Sequence, residues 1–257
     1  MATSEPQIRN GNYVDAGGLH TYYEVAGEGE PLLLLHGGFC PAETFDGLTP
    51  RLAEEYRVYL PERCGRGCTP DVEGPITFEN MAQDTLAFMD ALDISSAHLV
   101  GWSDGALVAL HVALQRPDLA SKLVLIGMAV NHDGFPAEAR EMLGPSLSPE
   151  ILPPFLRELY ANVSPDGPEH FDVVFEKLSA TWKTEPSFEL SELERLAMPT
   201  LVMIGDRDLV TVEHAAAMQR AIRDAQLAVV PGASHGFPME TPELASRPVI
   251  AFLSQSR

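Results

Sequence analysis

Basic residues are scarce in this chain. Lysine and arginine together number 17, against 37 aspartates and glutamates, and the formal net charge is −20. A nucleic-acid-binding surface needs a basic stripe that displaces counterions from phosphates, and this composition offers none. We therefore expect no nucleic-acid partner. The negative field also disfavours long-range attraction of anionic ligands, although a local pocket can override it.

Long apolar runs and cysteines are also few. The longest apolar runs, residues 32–35 and 123–130, fall far short of the roughly 20 residues of a membrane-spanning helix. The first residues show no charged and apolar regions of a secretory signal. Cys40, Cys64 and Cys68 are too few for a disulfide framework, and no second Cys/His pair completes a zinc site with Cys64 and Cys68. We predict a cytoplasmic protein with no membrane partner, metal or cofactor.

Apolar strand patterns alternate with amphipathic helix patterns along most of the 257 residues. This alternation predicts an α/β fold, with an eight-stranded, mostly parallel sheet covered by helices on both faces. Between residues 128 and 198 the helical pieces become short, and prolines and aromatics become frequent. We predict that residues 128–198 form a helical cap inserted after the sixth strand, and that residues 1–127 and 199–257 form the α/β core.

Local signals mark several element ends. Gly17-Gly18 lies between two strand patterns and predicts a hairpin. Thr77 is a predicted cap for the helix that begins at Phe78. Pro248 interrupts the last helical pattern, so we expect it to kink the final helix or to end its first segment.

The stretch Gly101-Trp102-Ser103-Asp104-Gly105 carries the clearest chemical signal. A buried-strand pattern precedes it, and apolar residues at helical spacing follow it until Pro117. A serine on such a strand-to-helix turn is typical of a nucleophile elbow, which exposes the hydroxyl and places the next N–H at the helix N-terminus. The five residues alone can arise by chance, so the motif gains weight only from an acid and a base elsewhere.

Two later strand patterns end in polar loops. Gly205-Asp206-Arg207-Asp208 follows the seventh predicted strand, and Pro231–Gly236, which contains His235, follows the eighth. Ligands of open α/β sheets bind at the carboxyl edge of the strands. The chain order is therefore serine, acid and histidine.

This order is the one that α/β-hydrolase fold proteins use, and the chain resembles that family over roughly its whole length. The resemblance also includes His36-Gly37-Gly38 after the third strand and the loop from Glu62 to Gly67 after the fourth. It implies that Ser103 is the nucleophile, that His235 is the base and that Asp208 is the acid of a catalytic triad. Asp206 is expected to brace its own loop, and Asp133 stays open as an alternative acid.

The resemblance also implies an oxyanion hole and pocket walls. The backbone N–H groups of Asp104 and Gly38 are the expected oxyanion donors, with Phe39 as the alternative to Gly38. His36 is expected to order this loop through side-chain hydrogen bonds. The expected substrate-binding residues are Phe39, Trp102, Met128, His132 and Phe135.

The implied function is a serine hydrolase that cleaves a carboxylic ester or lactone of a small, largely apolar molecule, as a monomer or homodimer. Serine at position 103 points to acyl transfer through an acyl-enzyme. Alternatives on this fold are a C–C bond hydrolase, a perhydrolase and an aminopeptidase-like enzyme. A non-catalytic ligand sensor is a further alternative, although such relatives usually lose a triad residue.

Overall fold

An eight-stranded sheet lies at the centre of the molecule. The computed structural model describes residues 11–144 and 147–255. In this part of the chain the strands are β1 (Asn12–Ala16), β2 (Leu19–Ala26), β3 (Glu30–Leu35), β4 (Tyr56–Pro61), β5 (Ala97–Trp102), β6 (Ala120–Ile126), β7 (Thr200–Arg207) and β8 (Ala225–Ser234).

Helices connect most of these strands. Within the same described ranges, the α-helices are α1 (Thr49–Leu52), α2 (Phe78–Ala91), α3 (Asp104–Gln115), α4 (Ala137–Leu143), α5 (Pro154–Val163), α6 (Phe171–Trp182), α7 (Val212–Ala221), α8 (Phe237–Glu240) and α9 (Pro242–Leu253). Short 3-10 helices cover Ala42–Phe45, His132–Gly134, Pro149–Ile151, Pro168–His170 and Leu190–Arg195. None of the described helices combines the length and apolar character needed to cross a membrane.

The strand order is β1-β2-β4-β3-β5-β6-β7-β8. β2 pairs antiparallel with β1 and β4, and the remaining neighbours pair in parallel. The predicted α/β fold, a mostly parallel sheet with helices on both faces, is therefore confirmed. The predicted hairpin is confirmed as well, since Gly17 and Gly18 join β1 to β2 with φ values of +60° and +89°, which glycine adopts most readily.

Burial explains why the central strands form where they do. Every residue of β5 is buried, as are residues 32–35 of β3, because helices cover both faces of the sheet. Thr77 caps α2 as predicted, with its hydroxyl oxygen accepting the Asn80 N–H at 3.1 Å. Such a cap contributes about 1 kcal/mol to helix stability.

Of the two outcomes predicted for Pro248, a kink or an end to the helix, the second is wrong. α9 runs from Pro242 to Leu253 without ending at Pro248. A proline within a helix removes one N–H and crowds the preceding turn, at a cost of about 3 kcal/mol. Burial of Ala245, Val249 and Phe252 on one face of α9 opposes that cost and holds the helix together.

The segment between β6 and β7 contains α4, α5 and α6 and contacts the core through aromatic rings. Phe39, in the loop after β3, packs against Phe171 and Phe175 of α6 with centroid distances of 5.4 and 5.7 Å. Trp182, at the end of α6, meets the same ring edge-on at 5.4 Å. These offset and edge-on pairs fix α6 beside the loop that follows β3.

Candidate active site

The turn between β5 and α3 holds Ser103 in a strained conformation. Its φ and ψ are 56° and −123°, which a non-glycine residue rarely adopts. A Cβ on Gly101 would lie 2.3 Å from the Gly105 carbonyl oxygen, and one on Gly105 would lie 2.1 Å from the Leu35 carbonyl oxygen. Both flanking glycines are therefore required by close backbone packing, and the tight turn presents the serine hydroxyl at the carboxyl edge of the sheet.

Ser103, His235 and Asp208 form a continuous hydrogen-bonded relay. The Ser103 hydroxyl lies 3.0 Å from His235 Nε2, and His235 Nδ1 lies 2.7 Å from Asp208 Oδ1. A carboxylate accepts hydrogen bonds and does not donate them, so Nδ1–H donates to Asp208 and Nε2 is left to accept the serine proton. The Asp208 side chain is completely buried and also accepts the Val210 N–H at 3.3 Å. This arrangement can transfer a proton from the serine to the histidine.

Electrostatics favour the protonated form of His235. Burial by itself lowers the pKa of this imidazole, but the neighbouring Asp208 carboxylate and its hydrogen bond outweigh burial and raise the pKa above 6.5. The charges of Asp104 and Glu240 act in the same direction. A histidine stabilised as the cation is suited to hold the proton removed from a serine.

Gly127 makes room for this relay. It follows β6 with a φ of +59°, and a Cβ there would lie 3.1 Å from Asp208 Oδ2 and 3.3 Å from His235 Nδ1. The indole N–H of Trp102 donates to the His235 backbone carbonyl at 2.9 Å. The histidine is therefore positioned from both its side chain and its backbone.

Buried hydrogen bonds of His36 and Arg63 hold the loop after β3, which contains Gly38 and Phe39. The buried His36 ring donates from Nδ1 to the Gly37 carbonyl at 2.8 Å and accepts the Arg63 backbone N–H at Nε2, at 3.2 Å. Burial and the adjacent Arg63 charge lower the pKa of His36 well below 6.5, so the ring is neutral. The Arg63 guanidinium also donates to the Gly37 carbonyl, at 2.8 Å. These bonds fix the backbone that carries the expected oxyanion donors.

Glu62 ties the loop after β4 to the loop after β3. Its buried carboxylate accepts the backbone N–H of Ala42 at 2.8 Å and also that of Cys68. A Cβ on Gly67, whose φ is +58°, would lie 2.1 Å from the Glu62 carboxyl carbon. The acid and the glycine of this motif thus serve one structural purpose, which is to anchor the oxyanion loop.

The side chain of Asp104 has a role that the sequence did not reveal, since only its backbone was expected to matter. It is buried, and both carboxylate oxygens accept the Trp182 indole N–H at 3.1 Å. Burial raises the pKa of Asp104, while the charges of Arg63 and Arg66 oppose that shift. The residue whose N–H is an expected oxyanion donor is therefore bonded directly to α6.

A cavity of about 490 Å³ opens above Ser103. All five expected substrate-binding residues line it, namely Phe39, Trp102, Met128, His132 and Phe135. Cys40 lines it too, but burial raises the pKa of that thiol to about 12, so the thiol stays protonated and does not compete as a nucleophile. Among the described residues, the remaining wall includes six leucines, two methionines and the aromatic residues Phe78, Phe155 and Trp182.

The other candidate acids lie elsewhere. Asp133 is exposed, and its backbone N–H bonds to the Asn131 side chain at 3.1 Å, whereas Asp208 contacts His235. Asp206, near the end of β7, accepts the Gly232 N–H of β8 at Oδ1 at 2.7 Å, so it links these two strands and does not brace its own loop as predicted.

Sequence reasoning missed the contribution of Trp182. The indole lies against the oxyanion loop, because a Cβ on Gly38 would come within 2.7 Å of its ring. The rarity of tryptophan was the one signal in the sequence, since the chain has only two. In the structure both of them line the cavity.

The family model for the alpha/beta hydrolase family matches residues 32–247. This range covers the elbow, Asp208 and His235. The chain belongs to the alpha/beta hydrolase family. One relative in this family is a 2-hydroxy-6-oxo-6-(2'-aminophenyl)hexa-2,4-dienoic acid hydrolase from Metapseudomonas resinovorans. It is 28% identical over 95% of this chain and 90% of its own length.

Two solved structures share this alpha/beta hydrolase fold. A meta-cleavage product hydrolase from Pseudomonas fluorescens superposes with a TM-score of 0.80 at 23% identity, over 95% of this chain and 97% of that one. An enol-lactonase from Burkholderia xenovorans superposes with a TM-score of 0.76 at 22% identity, over 95% and 100% of the two chains. The relatives support hydrolase activity in general, and they differ in the bond that their names say they cleave.

Proposed function

We propose that this chain is a serine hydrolase that cleaves a carboxylic ester or lactone of a small, largely apolar molecule. The relay from Ser103 through His235 to Asp208 is the observation that carries the proposal. The apolar cavity above the serine and the similarity to an enol-lactonase support the choice of substrate class.

In the proposed reaction, Ser103 Oγ attacks the substrate carbonyl while His235 Nε2 takes its proton. The oxygen of the tetrahedral intermediate accepts the backbone N–H groups of Asp104 and Gly38, with Phe39 as the alternative to Gly38. His235 then returns the proton to the leaving alcohol, and water releases the acid from Ser103 by the same route. Asp208 holds the imidazole tautomer and stabilises its cation. Loss of one oxyanion donor typically costs about 3 kcal/mol in such reactions.

The test combines covalent labelling with turnover. The wild-type protein should react with a fluorophosphonate probe and hydrolyse 4-nitrophenyl acetate, and Ser103→Ala should lose both, with a fall in kcat on the order of 10⁶-fold. Ser96→Ala is a matched control, because Ser96 lies at the opposite end of β5 and bonds to Ser121. Turnover that survives in Ser103→Ala would rule out the serine mechanism.

C–C bond hydrolysis is a second candidate, favoured by similarity to the dienoic acid hydrolase over 95% of this chain. The same serine and histidine would serve both reactions, so the triad does not distinguish them. A comparison of kcat/KM between simple esters and a 2-hydroxy-6-oxohexa-2,4-dienoate decides between the two. A preference for the dienoate by more than about tenfold would favour the C–C hydrolase.

A further inference from the structure

A second cavity adjoins the one above Ser103. Its volume is about 450 Å³, and five of its lining residues also line the first cavity: His132, Phe135, Leu143, Leu147 and Trp182. We call the cavity that holds Ser103 the inner chamber and the second one the outer chamber. The two chambers therefore lie side by side and meet at these residues.

The outer chamber carries positive charge. Arg140 of α4 and Lys183, which directly follows α6, both line it, and none of the described residues that line it is acidic. Both residues are exposed, and in the part of the chain that the structure describes neither side chain takes part in a hydrogen bond or an ion pair. The chain has 37 acidic residues and only 17 basic ones. Two cations without an acidic partner in one cavity therefore contrast with the negative charge of the chain as a whole.

The carboxylates of the inner chamber, by contrast, already have partners. Asp104 accepts the Trp182 indole N–H, Glu185 accepts the Phe78 backbone N–H at 3.3 Å, and Glu240 accepts the Ser234 hydroxyl at 2.7 Å. These acids line the inner chamber and not the outer one. Within the described ranges, the inner chamber is lined by these three acids and one arginine, Arg207, whereas the charged residues that line the outer chamber are the two cations.

We propose that the outer chamber binds the carboxylate end of the substrate through Arg140 and Lys183. This inference rests on the proposed function and narrows its substrate to an ester that carries a carboxylate several carbons from the scissile carbonyl. Phe135, Leu143 and Leu147 line both chambers and offer apolar surface suited to the methylene groups between the ester and the carboxylate. Hydrolysis of such a half-ester adds the elements of water across the acyl–oxygen bond and gives a diacid and an alcohol.

The experiment uses monomethyl and dimethyl esters of linear dicarboxylic acids, from succinate to sebacate, with the full-length protein. At the best chain length, kcat/KM for the monoester should exceed that for the neutral diester by about fivefold or more. Arg140→Gln and Lys183→Gln should each raise KM for the monoester by about threefold to fivefold, and together by about tenfold, with kcat unchanged. Hydrolysis of the diester should stay unchanged. Added salt, to about 0.5 M, should erase the preference.

Arg220→Gln serves as the charge-matched control, because Arg220 is an exposed residue of α7 and lines neither chamber. It should alter neither ester. Equal or better hydrolysis of the diester at every chain length overturns the inference. An equal loss for both esters in Arg140→Gln and Lys183→Gln also overturns it, since that result indicates a structural role.

A binding experiment tests the carboxylate site independently of ester hydrolysis. Suberate dianion should raise the Tm of the Ser103→Ala variant, and the shift should disappear when Arg140→Gln and Lys183→Gln are added. That result supports the outer chamber even if the wild type hydrolyses no ester. An unchanged shift in the triple variant overturns the carboxylate site even if ester hydrolysis is established.

Discussion

The carboxyl edge of the sheet and the helical segment between β6 and β7 build one cavity, but they hold their side chains in different ways. At the sheet edge, backbone geometry fixes the positions of the side chains. Ser103 has a positive φ, and Gly101, Gly105 and Gly127 occupy positions where a Cβ would collide with the backbone or press against the relay. Such contacts allow little adjustment, because backbone atoms cannot rotate away.

In the segment between β6 and β7, contacts with other side chains fix the positions of the side chains. The rings of Phe171 and Phe175 pack on Phe39, and the indole of Trp182 bonds to Asp104. Each contact joins residues far apart in the chain, and each can shift with a rotamer. We therefore expect the sheet edge to tolerate substitution poorly and the helical segment to tolerate it with graded effects on specificity and stability.

Asp208→Asn tests the sheet edge most severely. The amide would favour the wrong histidine tautomer and lose the charge that stabilises the imidazolium, so kcat should fall on the order of 10⁴-fold with the fold intact. Steady-state kinetics on 4-nitrophenyl acetate and circular dichroism measure the two effects. Asp133→Asn is the comparison, and it should remain within about twofold of the wild type; a large loss there and a small one in Asp208→Asn would reassign the acid.

Gly127→Ala probes the room beside the relay. The alanine must adopt a φ of +59° and would press against Asp208 and His235 at 3.1 and 3.3 Å. We expect the free energy of unfolding to fall by about 1–2 kcal/mol and kcat by about 10- to 100-fold. Gly18→Ala is the control, because Gly18 has a φ of +89° with nothing within 4 Å of the added Cβ. It should lose stability and keep its activity, and equal losses of activity in both variants would contradict the prediction.

The pH dependence sharpens the comparison further. His235 must be neutral to accept the serine proton, and its pKa is raised above 6.5. Activity should therefore decline as the pH falls through an inflection above that value, by about tenfold per unit below it. Residual activity of Asp208→Asn should show the inflection at lower pH, because the raising charge is gone. An inflection in the wild type well below 6.5 would argue against the described environment of His235.

Trp182→Phe should have the smallest effect. Phenylalanine keeps most of the ring packing on Phe39 but removes the N–H that both Asp104 oxygens accept. We expect the free energy of unfolding to fall by about 1–2 kcal/mol and kcat to fall only a few-fold. A double-mutant cycle with Asp104→Asn, followed by chemical denaturation, should give a coupling energy of about 1 kcal/mol. Strict additivity would show that the bond contributes nothing.

Sequence reasoning reached the fold and the elbow because their signals are local. The hairpin of β1 and β2 and the strand β5 form where the glycine turn and the apolar pattern before the elbow predict them. β7 and β8 extend further than predicted, to Arg207 and Ser234, where an irregular register pairs two polar strand ends. Strand propensity gives no sign of this pairing, yet it places Asp208 and His235 side by side.

The contacts of the helical segment between β6 and β7 were harder to predict from the sequence. Composition predicted helices rich in aromatics, but not that Trp182 would meet Asp104, because a contact across 78 positions has no periodic signature. The same holds for Arg140, in α4, and Lys183, directly after α6, which converge only in the outer chamber. Charge patterning along the chain identifies neither residue.

The sequence by itself determined the α/β alternation, the order of Ser103, Asp208 and His235, and the turns that only glycine can make. Each depends on the period of apolar residues or on the sterics of a few consecutive backbone atoms. Only the tertiary structure decided which acid contacts His235, what surrounds the Asp104 carboxylate and which residues line both chambers. Those features depend on side-chain packing between distant segments, and packing energies cannot be read from any one of those segments alone.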